Sequence, residues 1–367
     1  MGYIDADCHG IETRRETWKH FDPSERHYGP PEKGLWMVEN ATFDVDHEAR
    51  ETDPVAFARL KQHYPDGSRD LSNIPARLAV MDHLGVDVQI CFSNFWLLDS
   101  IQDPMREAAI ARSWNRWAAI GTEPSKGRIR WLAHIPWRMP ERAFQEMEFA
   151  AKNGAVGFEF TGYKYEIAAG NPWWYQLYAK AQELNMCIAF HTGGNGVLFR
   201  QGPLDFFYRT SSRVPGSFHS LLANDVPKKF PKLRFAFIET SAMWVPFALA
   251  VRFRTNGGNA GDREFGDWRQ KAKDYLAGTN LYVDAYIDED IPYTVQYTGE
   301  ERMVVGTDYT HIDFGSDPEG LNTLMKRTDI APHIRKKIVD DNPRRLYNIA
   351  PDFRPADEAA KRKAVPA

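Results

Sequence analysis

The chain has 367 residues, 43% hydrophobic and 26% charged, a globular composition long enough for one large domain or two ordinary ones. A net charge of −4 gives no reason to expect nucleic acid or an anionic membrane as a partner, and no apolar run approaches the ~20 residues that span a bilayer. No basic and apolar leader precedes the first strand, and Cys8, Cys91 and Cys187 lie in apolar runs as reduced buried thiols would, so a cytoplasmic location is expected.

Ile4-Asp-Ala-Asp-Cys-His9 reads as a short buried strand ending in two metal-ligand types. Asp7 and His9 are two apart, so an extended strand turns both to one side. Gly10 to Asn73 follows, polar and aromatic, with scattered Pro and Gly and no period. A stretch this long is expected to be a lid or binding loop, or else a surface insertion. From Ile74 the pattern is regular. Ile74 to Leu84 is a helix ended by Gly85, and Asp87 to Ser93 is a strand. Asp103 caps a helix to Ile120, with Pro104 at its first position. Strands then follow at Ile129–Ile135, Ala155–Thr161, Met186–His191, Leu233–Glu239, Leu281–Tyr286 and Arg302–Asp308. Helices lie between them at Pro140–Asn153, Pro172–Asn185, Pro215–Asp225, most of Ala242–Ala277, and from Asp288; more helix fills Pro318–Asn348.

Eight strands, each followed by helix, imply a parallel sheet closed into a single (β/α)8 TIM barrel over residues 1–350, with residues 10–73 inserted after strand one and a tail at 351–367. No Gly-rich phosphate loop follows the first strand, which argues against an open doubly wound sheet. In such a barrel the active site lies where the strands end. Strand one ends in Asp7 and His9, strand four carries Glu159, strand five ends in His191, strand six in Glu239, and strand eight in Asp308 followed by His311. A core has no use for so many polar ends, since unpaired buried carboxylates are costly; a divalent metal is the economical explanation. Glu159 reads equally as a ligand or as an arginine's partner, and His311 equally as a substrate contact or a loop cap. Glu239 reads as a ligand or as a carboxylate orienting a ligand histidine. Arg209 and Arg213, in a segment rich in Phe and Tyr, are candidates to pair with a substrate carboxylate, and Trp96 to form part of an apolar wall.

Six stretches in order carry a family likeness: Ile4-Asp-Ala-Asp-Cys-His9, Met81-Asp-His-Leu-Gly-Val-Asp-Val-Gln89, Trp114-Asn-Arg-Trp117, Phe230-Pro-Lys-Leu-Arg-Phe235, Gly306-Thr-Asp-Tyr309 and Asp341-Asn-Pro-Arg-Arg-Leu-Tyr347. From Ile4 to Tyr347 the chain resembles the amidohydrolase superfamily, in particular the branch around aminocarboxymuconate-semialdehyde decarboxylase. The resemblance implies that Asp7, His9, His191 and Asp308 hold the metal and that Asp308 accepts a proton from metal-activated water. Two departures stand out. Glu239 occupies the strand-six position where the family's decarboxylases carry a catalytic histidine, and Asp7 stands where many relatives have histidine. The oxygen-rich set favours manganese or iron(II) more than thiolate-rich sites do. With Glu159 and Glu239 added, it is similar to the amidohydrolase-fold oxygenases with dinuclear centres.

The expected activity is therefore metal-dependent hydrolysis of a C–N or C–C bond in a small organic acid, with Asp308 as base and zinc, manganese or iron as one or two ions. Glu239 and His311 join Asp308 as candidate catalytic residues. The alternatives are oxygen-dependent hydroxylation at a dinuclear site, nonoxidative decarboxylation, and a metal-stabilised partner subunit without its own activity. The resemblance implies a homo-oligomer or a pairing with a homologous subunit.

Overall fold

The computed structural model describes residues 2–12, 14–31, 33, 35–38, 41–44, 63–94, 101–164, 167–192, 213–255, 268–311 and 315–355. Eight strands alternate with helices: β1 (Tyr3–His9), β2 (Val86–Phe92), β3 (Ile129–Ala133), β4 (Ala155–Phe160), β5 (Cys187–His191), β6 (Phe235–Ile238), β7 (Leu281–Asp284) and β8 (Met303–Val304). They pair in that order and in parallel. The ring closes where the chain beyond β8 meets β1. There Ala6 N donates to Val305 O (3.3 Å), Asp308 N to Asp7 O (3.0 Å) and His9 N to Tyr309 O (2.7 Å). This is the (β/α)8 barrel expected from the alternation.

Local chemistry starts the helices. Asn73, Asp103 and Asp290 accept hydrogen bonds from backbone N–H groups of the first turn, with a proline just behind each cap. Gly85, at φ 72°, ends the helix Ile74–Leu84 in the left-handed conformation that glycine adopts without a Cβ clash.

Two apolar layers result. The outer layer joins the helices to residues such as Trp131, Phe158, Phe190 and Phe237. The inner layer draws on all eight strands, through Ile4, Ala6, Val88, Leu132, Val156, Ala189, Ile238, Tyr282 and Val304 among others. Leu346 and Tyr347 of the C-terminal helix Asn342–Tyr347, and Ile349 just after it, complete it, so the barrel floor is packed rather than hollow.

Strict alternation does not carry the inward face from floor to mouth. In β1, Asp5 pairs with Gln89 and Cys8 with Cys91, so β1 spends one residue more than β2 over that interval. This bulge changes the parity: Ile4 and Ala6 fill the floor, yet Asp7 and His9 also point inward. A second bulge in β4, between Ala155 and Gly157, lets Val156 face the floor while Glu159 rises into the mouth. Bulges beside active sites re-aim side chains in this manner.

Some elements differ from the sequence expectation. The last strand stops at Val304 instead of Asp308, because Gly306 crosses against Asp7 and Asp308 adopts φ 51°. The region Ala242–Ala277 contains two helices, Val245–Thr255 and Trp268–Ala277, with 256–267 outside the described residues. The stretch Gly10–Asn73 has structure of its own: helix Arg14–Trp18, a short turn of helix Arg26–Tyr28, and a hairpin pairing Leu35–Val38 with Ala41–Asp44. All three cysteines are buried and free. Among the described residues no helix is long and apolar enough to cross a membrane.

The seam depends on Gly306, where a Cβ would lie 2.3 Å from Asp7 Cβ and 2.8 Å from Asp7 N. Gly306→Ala is expected to destabilise the fold by at least about 2 kcal/mol, since the obstruction includes β1 backbone. Gly278→Ala, whose Cβ would meet nothing closer than 3.5 Å, serves as the near-neutral control. Urea unfolding midpoints of the two variants check this.

Candidate metal centre

Four strand ends, those of β1, β5, β6 and β8, deliver polar side chains to one point above the packed floor. Asp7, His9, His191 and Glu239 each place a ligand atom within 4.8 Å of the others. His9, Asp308 and His311 form a second group of the same kind, which shares His9. His191 Nε2 lies 3.5 Å from Asp7 Oδ1 and 3.5 Å from Glu239 Oε2, and His9 Nε2 lies 3.2 Å from Asp308 Oδ1. His311 stacks on His9 with ring centroids 4.0 Å apart, and its Nδ1 is 2.7 Å from Asp308 Oδ1.

A layer of backbone and side-chain contacts orients these groups. His9 Nδ1 is 2.8 Å from the Ser93 carbonyl and His191 Nδ1 is 2.7 Å from the Thr192 carbonyl. A carbonyl only accepts, so each Nδ1 carries the proton and each Nε2 turns a lone pair to the centre. Asp284 accepts from Glu239 N and from Gly306 N, both at 3.0 Å, and so ties the end of β6 to the end of β8. Glu239 and Asp308 sit at φ 53° and 51°, a left-handed conformation costly for residues with a Cβ and concentrated at functional sites.

The electrostatics call for a cation. Burial, then the neighbouring Asp308, pushes the carboxyls of Asp7 and Glu239 well above the ordinary range. Burial raises Glu159 to about 8 and lowers His9 to about 3. Burial opposes the ionised form of Asp308 as well, but His311, with help from His9, outweighs it and holds that carboxyl below its usual value. Asp7 Oδ1, His9 Nε2, His191 Nε2 and Asp308 Oδ2 are buried without a hydrogen-bond partner. Partnerless ligand atoms of both N and O type, facing one point, fit a divalent metal ion.

The structure brings Asp7, His9, His191, Glu239, Asp308 and His311 together. Glu159 stands at the rim of the cluster: it accepts from Ser93 N and Ser93 Oγ, both at 3.3 Å, and lies 3.8 Å from His134. The nearby His191 partly offsets the upward shift of Glu159, but Glu159 is in neither ligand group. Arg213 is partly buried just ahead of the helix Val214–Ala223, while Arg209 and Trp96 lie outside the described residues. Sequence reasoning missed Ser93, Asn94, His134 and Asp284. His134 had a legible signal, a histidine one residue past the end of β3, with Nε2 2.8 Å from Ser93 Oγ. Asn94, whose Oδ1 is 2.7 Å from His311 Nε2, had none, because the pairing spans 217 positions.

A model of the amidohydrolase family matches residues 4–349. No curated protein matches the chain in sequence. Among solved structures, an amidohydrolase from Mycobacterium avium subsp. paratuberculosis K-10 superposes with a TM-score of 0.74 at 17% identity, over 95% of this chain and 98% of that one. A 5-carboxyvanillate decarboxylase from Novosphingobium aromaticivorans, complexed with manganese and a nitrobenzoic acid, gives 0.67 at 15% identity, over 95% and 96%. A dihydroxybenzoic acid decarboxylase from Polaromonas sp. JS666, with bound manganese and 2-nitroresorcinol, gives 0.66 at 16% identity, over 95% and 97%. At these identities the likeness is one of fold.

Burial of the carboxyls, reinforced by their mutual repulsion, sets a pH signature for the metal-free protein. Glu159 moves from an ordinary 4.5 to about 8, so between these values the folded state binds more protons than the unfolded. Stability must then fall as pH rises through that window; Asp7 and Glu239 act in the same direction. The metal-free protein is expected to melt lower at pH 8.5 than at pH 6, and excess manganese to abolish most of the difference. Thermal melts with and without manganese at both pH values check this.

Proposed function

The chain belongs to the amidohydrolase family, and from that premise we propose that it is a divalent-metal-dependent enzyme that removes the carboxyl group of a small organic acid as carbon dioxide, without an oxidant. The observation that carries this reading is the Asp308–His311 pair set against the Asp7, His9, His191 and Glu239 cluster. Nonoxidative decarboxylation needs a place that neutralises the substrate's negative charge and, beside it, a proton source. The cluster serves as the first and the pair as the second. Manganese-bound decarboxylases among the solved relatives support this choice over hydrolysis.

When bound, the ion would supply positive charge that holds the substrate's oxygens and spreads the negative charge developing on carbon. Asp7, His9, His191, Glu239 and Asp308 are the residues proposed to hold it. The bond between the substrate carbon and its carboxyl group breaks, the electron pair stays on the carbon, and a proton takes the vacated position. That proton comes from between Asp308 Oδ1 and His311 Nδ1, which lie 2.7 Å apart, a separation that two electronegative atoms sustain with a proton or a cation between them. His311, with 20% of its side chain exposed, links the buried carboxyl to the open side of the mouth. Glu239 fills the position where the family's decarboxylases carry a histidine, so the imidazole is supplied from the turn after β8 instead. Arg213 and Arg209 are proposed to pair with a substrate carboxylate.

One observation favours a second reading, oxygen-dependent hydroxylation at a dinuclear site. Asp7, Glu159, Glu239 and Asp308 carry four negative charges when ionised, and among the described residues none of them is paired with a lysine or arginine. One divalent ion leaves two of these charges uncompensated, and two ions balance all four.

Anaerobic incubation of the manganese-loaded protein with small aromatic and unsaturated carboxylic acids in deuterated water separates these readings. Release of carbon dioxide with one deuterium at the vacated carbon is expected. His311→Gln is expected to lower kcat by a factor of about 10² or more. Substrate-dependent oxygen uptake with two metal ions per chain, and no anaerobic turnover, would establish the second reading instead.

A further inference from the structure

The end of the long insertion, residues 63–73, grips the turn that carries Asp308 and His311. Tyr64 Oη donates to the His311 carbonyl (2.8 Å), and Arg69 Nε donates to the Thr310 carbonyl (3.1 Å). In the other direction, Tyr309 Oη donates to the His63 carbonyl (2.7 Å). The rings of Tyr64 and Tyr309 lie 5.2 Å apart, and the Arg69 guanidinium lies 5.5 Å from the centre of the Tyr64 ring. Ile11 N donates to the Arg69 carbonyl (2.8 Å), which anchors this arm to the exit of β1.

The gripped turn is under strain. Asp308 has φ 51° and Thr310 has φ 99°. For a β-branched residue such as Thr310 a positive φ is a genuine outlier, and strain of this kind persists only where surrounding contacts over-determine it. Ser316 Oγ, near both the Asp308 and His311 carbonyls, supplies one such contact; β1 supplies others, Asp308 N to Asp7 O and His9 N to Tyr309 O, and the insertion holds the Thr310 and His311 carbonyls. Released from them, the turn would relax toward negative φ and carry His311 away from its stack on His9 and its contact with Asp308. A general packing role would be met by apolar side chains. Here two polar groups are spent on two successive carbonyls of the strained turn.

We infer that Tyr64 and Arg69 are positioning residues: they hold the turn after β8 in the strained conformation that presents His311 beside Asp308 and over His9. This rests on the reading of the Asp308–His311 pair as the proton source. The insertion thereby has a share in the chemistry without touching the reacting atoms, through the backbone of the residue that delivers the proton.

Hydrogen exchange and kinetics of the full-length, manganese-loaded protein test the inference, using Tyr64→Phe, which removes one hydroxyl, and Arg69→Ala. Amide exchange over residues 307–311 is expected to quicken by about tenfold or more in each variant, while peptides from β4, β5 and β6 exchange as in the parent protein. The kcat for decarboxylation is expected to fall by a factor of about 5 to 50 with KM unchanged, and added guanidinium ion to restore part of it in Arg69→Ala but none in Tyr64→Phe. Unchanged exchange over 307–311 overturns the inference. So does a rise spread evenly over all strands, which would make the two residues general supports of the fold. If no acid is decarboxylated by the parent protein, the exchange result still decides the positioning role, and the failure falls on the proposed reaction alone.

Discussion

Carboxylates buried around one point repel one another, and the architecture of this barrel's mouth answers that constraint. Asp7, Glu239 and Asp308 converge with His9 and His191, all buried except the partly exposed Glu239, and no lysine or arginine among the described residues pairs with them. Without a cation the carboxyls of Asp7 and Glu239 hold their protons far above the ordinary range, and His9 stays neutral. Such a cluster stores unfavourable energy that a divalent ion turns into affinity. The surrounding contacts serve to keep it from relaxing: Asp284 on the backbone of Glu239 and Gly306, Ser93 on His9 and Glu159, and the insertion on the turn bearing His311.

The buried polar layer on the outer side of β1 belongs to the same system. Asp5 accepts from Thr307 N (2.8 Å), Thr307 Oγ1 (2.7 Å) and Gln89 Nε2 (3.1 Å). Gln89 in turn accepts from Arg77 Nε (2.9 Å), and Arg77 donates to the His9 carbonyl (2.9 Å). Arg77 is fully buried and also lies over the Tyr309 ring. A charge so deep is retained only where every donor has work. Here the chain of contacts binds β1 to β2 and to the residues after β8, the three segments whose relative placement determines where Asp7, His9 and Asp308 meet.

Strained positions and a bulge mark the mouth of the barrel. The bulge at Asp5–Cys8 leads into Asp7 and His9, Glu239, Asp308 and Thr310 take left-handed φ at or beside the ligand cluster, and the bulge at the start of β4, Ala155–Gly157, sets the parity that brings Glu159 to the rim. Apolar packing rewards regular alternation, whereas convergence of ligand-type side chains from four strands requires some of them to be turned off the regular register.

What the sequence determined by itself was the order of the elements, the barrel, and the ligand types at the strand ends. Apolar runs alternating with amphipathic helices are local signals, and Asp7 with His9, His191, Glu239 and Asp308 could be read because each stands at such a run's end. Alternation could not tell Asp5 from Asp7. Both are odd-numbered in β1, yet one binds Gln89 and Thr307 outside the sheet and the other faces the cluster of carboxylates and histidines, since the bulge depends on how β1 registers against β2. Nor could it show that His311 meets Asn94, or that Tyr64 reaches across 247 positions to the His311 carbonyl. Those contacts exist only once the ring has closed between β8 and β1, because ring closure and register are properties of paired strands and no single strand carries them.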